Sequence, residues 1–309
     1  MQGRGAAGSY DAPHYGPVPR MPRRKKLEAG RRLSRCLCVG SPGFAGNCLS
    51  GCIRMTHWIR FEHDGGIHFG QLKGSTILVC EGDMFTAPMQ TDETVTLDEV
   101  RVLTPTVPSK MPALWNNYRA LADEKGLEYP ETPLYLFKAT SSFLATGEVI
   151  MHPASVAEDV FYEGELGIVI GQTVKETSLD ESEQAIFGYT CINDVTAFSL
   201  LKEYAGFDQW TRSKGFDTFG VFGPVVATGL DYRDLEIVTR VDGEEKQRYP
   251  ASDMMMSPME TVSRLSENMT LYPGDVICCG TSIGLGPMPR GCTVEVEIEG
   301  IGRLINEYR

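Results

Sequence analysis

The segment VFYEGELGIVIG, residues 160–171, constrains the fold more than any other stretch of this 309-residue chain. Side chains alternate in direction along a β-strand, so Leu166, Ile168 and Ile170 share one face and can enter a core. Glu163 and Glu165 share the opposite face. A strand this apolar is expected to be partly buried, and burying two unpaired carboxylates is costly. A proton or a cation must therefore separate the two glutamates.

A third carboxylate is available at Asp194, in the strand-like segment YTCINDVTA. Three carboxylates suit a hard cation such as magnesium, manganese or calcium, which prefers oxygen ligands. From the E-x-E spacing alone, a solvent-exposed edge strand is the commoner explanation. The residues by themselves therefore leave a metal site and an exposed edge both open.

The composition, 42% hydrophobic and 23% charged, is typical of a globular protein. Beyond residue 54 the chain carries 19 basic and 39 acidic residues, and this acidic body argues against nucleic acid as a partner. No apolar run has membrane-spanning length, so no membrane partner is expected. The nine cysteines show no disulfide-framework spacing, which favours a reducing, cytoplasmic location.

The chain divides into three parts. Residues 1–54 hold ten basic and two acidic residues among many glycines and prolines, and are interpreted as a disordered extension. Residues 55–105 predict a small β-rich domain, with hairpin turns at DGG and KGS. The proline-rich stretch TPTVPSKMP is interpreted as a linker into a main domain over residues 106–309.

The main domain is predicted to be mostly β with short helices, an α+β class. NNYRALADEKGL predicts a helix ended by Gly126, and SLDESEQAIFG one capped by Ser178 or Asp180 and ended by Gly188. PMETVSRLSEN predicts a third helix, with Met259, Val262 and Leu265 on one face. VDGEE predicts a hairpin turn, and TVEVEIEGIGRLINEY two closing strands.

Motifs between residue 134 and the C-terminus resemble, in order, those of the fumarylacetoacetate hydrolase family. They are LYLFKATSSF, YEGELGIVIG, GYTCINDVTA, RSKGFDTFGVFGP, VDGEEKQ, LYPGDVICCGTSIGLG and EVEIEGIGRLIN. The resemblance implies a small N-terminal domain followed by a mixed β-roll. It also implies that the folded part of the protein starts near Met55. It also implies a homodimer and a Mg²⁺ or Mn²⁺ ion, with Ca²⁺ as a possible substitute.

The resemblance assigns roles to individual residues. The implied metal ligands are Glu163, Glu165 and Asp194. Lys214, in RSKGFDT, matches the family's active-site lysine. The implied substrate-binding residues are Thr281, in a GTS that replaces the family's G-T-P, together with Lys138, Tyr118 and Asp217.

The chain departs from the family pattern at two places. Many members carry N-Y-x-x-H-x-x-E, in which the histidine and glutamate activate water or move a proton. Here Glu124 matches the glutamate, but Leu121 replaces the histidine and cannot accept a proton. After Asp194, Phe198 stands where the family often has arginine and Leu201 where it has glutamine, which predicts a more apolar pocket.

These features favour an isomerase, decarboxylase or hydratase acting on a 2-hydroxydienoate or other 2-oxo acid, in the degradation of aromatic compounds. A 2-oxo acid can chelate the metal, which then stabilises an enolate. An acylpyruvate-type C–C hydrolase is the alternative, with Glu124 acting through water. A third possibility is a family member that binds a metal or ligand without turnover. His152 is expected to be a structural or surface residue.

Overall fold

The computed structural model describes residues 55–309, so the interpretation of residues 1–54 as an extension lies outside the described part. The α-helices are α1 (Arg119–Lys125), α2 (Leu179–Ala185), α3 (Trp210–Lys214) and α4 (Pro258–Asn268). The strands are β1 (Thr56–His63), β2 (Gly66–Lys73), β3 (Thr76–Asp83), β4 (Ala87–Thr96), β5 (Arg101–Val102), β6 (Met111–Trp115), β7 (Leu134–Lys138), β8 (Phe143–Leu144), β9 (Val149–Ile150), β10 (Phe161–Tyr162), β11 (Gly164–Ile170), β12 (Ile186–Asp194), β13 (Gly220–Thr228), β14 (Glu236–Val241), β15 (Glu244–Pro250), β16 (Val276–Cys278), β17 (Gly286–Pro287), β18 (Thr293–Ile298) and β19 (Gly302–Tyr308).

Three sheets organise the described residues. A 12-stranded sheet runs β4-β3-β2-β1-β13-β12-β11-β16-β6-β7, with β5 joined to β1 and β8 joined to β13. A second sheet has the order β15-β14-β18-β19-β9, and β10 and β17 form a short pair. The mostly β class with short helices, predicted from the sequence, is confirmed. No helix of the described residues is long and apolar enough to cross a membrane.

Strand β11 lies inside the large sheet, between β12 and β16. Leu166, Ile168 and Ile170 pack into one core cluster, while Val169 packs into a second cluster on the other side of the sheet. Every residue of β11 is buried. The solvent-exposed edge that the E-x-E spacing left open is therefore wrong, because both neighbours of the strand are present.

The local sequence signals for turns and helices hold at most places. Hairpins join β1 to β2, β2 to β3 and β14 to β15 at the predicted turns, and β18 pairs with β19 as the two closing strands. Gly126 ends α1 in the left-handed conformation, at φ 64°. Ser178 caps α2 by accepting a hydrogen bond from the Glu181 amide. In α4, Val262 and Leu265 are fully buried while Met259 is half-buried.

Two sequence predictions need correction. Helix α2 ends at Ala185, and Gly188 lies inside β12, where close packing against β13 rather than a helix stop requires a glycine. The predicted linker also contributes its last residues, Met111 and Pro112, to β6, in register with Lys138 and Phe137 of β7.

The N-terminal strands are continuous with the main sheet. Strand β1 pairs antiparallel with β13, with Trp58 opposite Val226. The described residues, 55–309, belong to one compact unit. The strands predicted as a small domain therefore extend the sheet that carries β11 and β12.

Replacing Gly188 by alanine is expected to destabilise the fold. A Cβ at this position would lie 2.4 Å from the Ala227 carbonyl oxygen, a backbone atom held in the neighbouring strand. Overpacking of this kind costs about 1–3 kcal/mol, which chemical denaturation can measure. Gly66→Ala is the matched control, because its nearest atom, 2.6 Å away, is the end of the movable His68 side chain. Equal losses in the two variants would contradict the prediction.

Candidate active site

Three buried carboxylates meet where β11 begins and β12 ends. The two strands pair with Gly164 opposite Asn193, and the Asp194 amide donates to the Glu163 carbonyl over 2.8 Å. Glu163, Glu165 and Asp194 each offer an oxygen, and these oxygens lie within 4.8 Å of one another. The relative exposure of the three residues is 6%, 0% and 1%. The ends of two adjacent strands thus concentrate negative charge away from water.

Two buried lysines reach this cluster from other elements. Lys214, the last residue of α3, donates to Glu163 Oε2 over 2.8 Å and to Asp194 Oδ2 over 2.7 Å. Lys138, the last residue of β7, donates to Asp194 Oδ1 and to the Val195 carbonyl. The cluster therefore combines three carboxylates with two ammonium groups.

The remaining carboxylate oxygens differ in how well they are satisfied. The Thr196 hydroxyl donates to Glu163 Oε1 over 2.9 Å, and the Gly280 amide donates to Glu165 Oε2 over 2.8 Å. Glu165 Oε1 is buried and has no hydrogen-bond partner among the described residues. Such an oxygen is costly to bury unless something else satisfies it.

Burial and neighbouring charges set the protonation of the cluster. Burial raises the pKa of Glu165 well above its ordinary value, and the charges of Asp194 and Glu163 raise it further. Burial also raises the pKa of Glu163, against the influence of Lys214. Burial would raise the pKa of Asp194 too, but Lys138 and Lys214 together lower it. Burial opposes the charged form of Lys214, yet Asp194 and Glu163 raise its pKa, so it stays protonated.

The donor set fits a divalent cation. All three groups are hard oxygen donors of the kind that magnesium, manganese and calcium prefer. If ionised, three carboxylates and two lysines carry a net negative charge in a buried place, and one oxygen, Glu165 Oε1, has no partner among the described residues. A cation would remove both costs. The buried acidic triad can therefore bind a metal.

Thr281 lies beside the carboxylates and contacts the peptide between the two glutamates. Its hydroxyl donates to the Gly164 carbonyl over 3.0 Å and accepts from Gln247 Nε2 over 2.9 Å. The Tyr249 hydroxyl also donates to the Gly164 carbonyl. A Cβ on Gly164 would lie 1.9 Å from Thr239 Oγ1, so only glycine fits.

Tyr118 lies behind this group. Its ring packs edge-on against Tyr249, with centroids 4.9 Å apart, and its buried hydroxyl has no partner among the described residues. Burial raises the pKa of Tyr118 well above its ordinary value. The neighbouring Asn117 donates to the Cys279 carbonyl over 2.9 Å, which ties this segment to the loop before Thr281.

Two of the predicted site residues lie elsewhere. Glu124 is exposed on α1 and pairs with Lys125 over 2.9 Å, because the buried side of this short helix is formed by Ala122. Asp217 is exposed in the turn after α3, beside a surface depression that Phe216 and Met151 also line. The structure does not bring either residue to the carboxylates. The roles assigned to the residues that do meet there stay predictions.

Phe198 and Leu201, which depart from the family pattern, both pack against the protein rather than pointing freely into solvent. Phe198 packs edge-on against Phe161, with ring centroids 5.0 Å apart, and both rings are half-buried. Leu201 is buried. His152 Nε2 lies 2.7 Å from the Val156 carbonyl and Nδ1 meets the Tyr308 hydroxyl, so both ring nitrogens have partners.

Three residues of the site received no role from the sequence: Thr196, Gln247 and Tyr249. Thr196 lies two positions after Asp194, inside the quoted segment YTCINDVTA, and that proximity was an available signal. Gln247 ends the quoted motif VDGEEKQ, but nothing in the sequence places β15 beside β11. The contacts of Gln247 and Tyr249 with Gly164 are long-range, and they arise only when the second sheet packs against the first.

Comparison with known proteins identifies the family. Residues 110–309 match the fumarylacetoacetate (FAA) hydrolase C-terminal family, and residues 56–105 match the Rv2993c-like, N-terminal family. The chain therefore belongs to the fumarylacetoacetate hydrolase family, as the motifs indicated. An uncharacterized protein of Archaeoglobus fulgidus is 41% identical over 248 residues, which cover 80% of this chain and 94% of that protein.

Relatives with assigned activities are enzymes of several kinds. The oxaloacetate tautomerase YisK of Bacillus subtilis is 34% identical, with coverage of 68% of this chain and 74% of the relative. A 2-hydroxyhepta-2,4-diene-1,7-dioate isomerase from Mycobacterium marinum is 35% identical with TM-score 0.75, over 82% of this chain and 98% of that one. A maleylpyruvate hydrolase from Sphingobium, solved with manganese and pyruvate, shares the fold at 23% identity and TM-score 0.66, over 82% and 98%.

Glu165→Gln is expected to stabilise the metal-free protein and to abolish its response to metal. The substitution removes a carboxyl group whose ionisation is disfavoured by burial and by Asp194 and Glu163, while keeping the side-chain size. A cation at 100 times its Kd stabilises a native protein by about 2.7 kcal/mol, and the variant should lose that gain. Thermal unfolding with chelator and with Mg²⁺ or Mn²⁺ measures both effects.

Glu93→Gln is the control for this experiment, because Glu93 is exposed on β4. It should unfold like the wild type and keep the metal-induced rise in Tm. A Glu165→Gln variant that still gained the full rise would contradict the assignment of Glu165 as a ligand.

Proposed function

We propose that the protein is a metal-dependent enzyme that enolises a small 2-oxo acid, as an isomerase or lyase does. The buried carboxylate triad joined by Lys214 carries this proposal. A divalent cation in the triad would supply Lewis acidity that stabilises negative charge on the keto oxygen of the substrate. The tautomerase and isomerase relatives support this type of reaction.

Lys214 contributes a fixed positive charge rather than a base. Its ammonium is held between Glu163 Oε2 and Asp194 Oδ2, and the raised pKa keeps it protonated. A charge fixed before the reaction needs no reorganisation when negative charge develops on the substrate. Lys138 holds Asp194 from the other side through Oδ1, so the two lysines together orient one carboxylate.

The charge balance favours an anionic ligand. When all five groups are ionised, as metal binding requires of the carboxylates, they sum to a single negative charge, which a divalent cation would turn into a single positive charge. A 2-oxo acid carries one carboxylate beside its keto group, so it matches that balance. The acidic surface of the chain therefore does not prevent binding of an anion at this place.

The acylpyruvate hydrolase alternative has less support. Its proton-transfer pair would need a base at residue 121, which is a leucine, and Glu124 is exposed and paired with Lys125. We expect no incorporation of labelled oxygen from water into an acylpyruvate product. Incorporation would favour the hydrolase, whereas clear metal binding without turnover of any 2-oxo acid would favour a binding protein.

Lys214→Met is expected to slow enolisation by about a hundredfold or more, as losses of preorganised charge in active sites do. Methionine is unbranched and one atom shorter than lysine, so the substitution keeps most of the side chain but removes the charge between Glu163 and Asp194. The measurement is exchange of the protons next to the keto group of 2-oxobutyrate with deuterated water, followed by NMR in the presence of Mn²⁺. The keto–enol conversion of oxaloacetate gives a second readout.

Lys202→Met is the matched control, since Lys202 is exposed and pairs with Asp208. It should exchange protons at the wild-type rate. Full exchange activity in Lys214→Met would contradict the role given to Lys214.

Two half-buried aromatic rings, Phe161 and Phe198, form the apolar side that we expect for the substrate pocket beside Glu163, and they indicate which 2-oxo acids fit best. Phe161 lies two residues before Glu163 in an extended segment, so the two side chains point the same way, and Phe198 packs on its ring. The basic residues that follow Phe198 most closely in sequence are Lys202 and Arg212. They form ion pairs with Asp208 and Glu203, respectively. A substrate with an uncharged remote end suits this surface.

Phe198→Arg is expected to shift the preference toward dicarboxylic substrates. A new guanidinium beside the pocket can pair with a second carboxylate, and we expect kcat/KM for oxaloacetate relative to 2-oxobutyrate to rise about five- to tenfold. Phe207→Arg adds the same charge at an exposed position and should leave the ratio unchanged. An unchanged ratio in Phe198→Arg would contradict the placement of this residue at the pocket.

The homodimer, the cytoplasmic location and a place in aromatic-compound degradation stay predictions from the sequence.

A further inference from the structure

The peptide of Gly164 is held by side chains rather than by a neighbouring strand. Strand β16 ends at Cys278, paired with Gly167, so it does not extend along β11 as far as Gly164. The Gly164 amide donates to Gln247 Oε1 over 3.0 Å, and its carbonyl accepts from Thr281 and Tyr249. The backbone of Gly164, the residue between the two glutamates, is therefore positioned by residues of β15 and of the loop after β16.

The contacts of Gln247 fix the orientation of its amide. Oε1 must face the Gly164 amide, which can only donate. Nε2 faces the Ser282 and Ile283 carbonyls, each at 3.3 Å, which can only accept. The same Nε2 donates to Thr281 Oγ1 over 2.9 Å. Turning the amide over would break the contacts to the Gly164 amide and to the two carbonyls, so these three backbone groups determine its direction.

This orientation also fixes the direction of the Thr281 hydroxyl. A hydroxyl has one proton, and Oγ1 already accepts from Gln247, so its proton must point to another acceptor. In this structure that acceptor is the Gly164 carbonyl. We propose that Gln247 is a positioning residue that keeps Thr281 a hydrogen-bond donor, so that its hydroxyl can turn from Gly164 to the carboxylate of a bound 2-oxo acid.

Tyr249 allows that turn to occur at low cost. If Thr281 donates to a ligand, the Gly164 carbonyl loses one of its two donors, and the Tyr249 hydroxyl still satisfies it. Leaving a buried carbonyl without any donor is expensive. Tyr249 is 3% exposed, so water does not replace its hydroxyl easily. The pair of donors on Gly164 thus leaves one of them free to serve the ligand.

The inference rests on the proposed function, because it needs a ligand carboxylate. It is tested with oxalate in the presence of Mn²⁺, with the Kd measured by calorimetry. Gln247→Glu keeps the side-chain shape but replaces the donor to Thr281 by an acceptor, so the hydroxyl should turn toward residue 247. We expect the Kd for oxalate to rise about tenfold or more, as for a lost hydrogen bond to a charged group.

Gln247→Glu also adds a negative charge, so a double-mutant cycle with Thr281→Val separates the two effects. Charge repulsion acts whether or not residue 281 has a hydroxyl, whereas the change in hydrogen-bond direction needs one. In the Thr281→Val background, Gln247→Glu should therefore weaken oxalate much less. Thr281→Ser keeps a hydroxyl, and in that background the full loss should return. If Gln247→Glu does not fold, the neutral Gln247→Met replaces it in the same cycle.

Tyr249→Phe supplies an independent cycle without a charge change. With Thr281 present, the variant should bind oxalate several-fold more weakly, because the Gly164 carbonyl would have no other donor when Thr281 turns away. With Thr281→Val the same substitution should have no effect. The Kd for Mn²⁺ alone and the Tm are measured alongside, and a merely structural role would change those values rather than the coupling.

Equal fold-losses of oxalate affinity in the Thr281 and Thr281→Val backgrounds, for both Gln247→Glu and Tyr249→Phe, would overturn this inference alone. Failure of the wild-type protein to bind oxalate with Mn²⁺ would overturn the proposed function and this inference together. Background-dependent losses with unchanged Mn²⁺ affinity are the expected result.

Discussion

The burial of three carboxylates at one end of two antiparallel strands is the interaction on which the rest of the site depends. If ionised, Glu163, Glu165 and Asp194 would repel one another strongly, because solvent does not screen buried charges well. The fold offsets this with two lysines from separate elements, since Lys138 ends β7 and Lys214 ends α3. The positions of β7 and α3 are therefore tied to the electrostatics of β11 and β12.

The two lysines do not compensate all three carboxylates. The lysines satisfy Glu163 and Asp194, while Glu165 keeps a buried oxygen without a partner among the described residues. Burial and two neighbouring charges raise the pKa of Glu165 well above its ordinary value. A protein whose stability alone mattered would not keep such a group in its core. A cation bound by the triad would offset this cost.

Much of the site could be predicted from the sequence. Strand alternation placed Glu163 and Glu165 on one face, and the order of motifs brought Asp194, Lys214 and Thr281 to them. Glu124 does not reach the carboxylates because it lies on the exposed side of α1. Asp217 lies in a turn, where no strand or helix period determines the direction of its side chain. Gly188 was misassigned because a glycine after a helical pattern resembles a helix stop, while its actual constraint is the Ala227 carbonyl of the neighbouring strand.

The sequence by itself determined the elements: the apolar strand with its paired glutamates, the hairpin turns, the capped helices and the family. These depend on local periodicity and on residues that demand special backbone conformations. Only the tertiary structure decided that β11 lies inside a twelve-stranded sheet, and that Gln247 and Tyr249 reach the Gly164 peptide. Those contacts join residues more than eighty positions apart, and they exist because two sheets pack together, which no local pattern encodes.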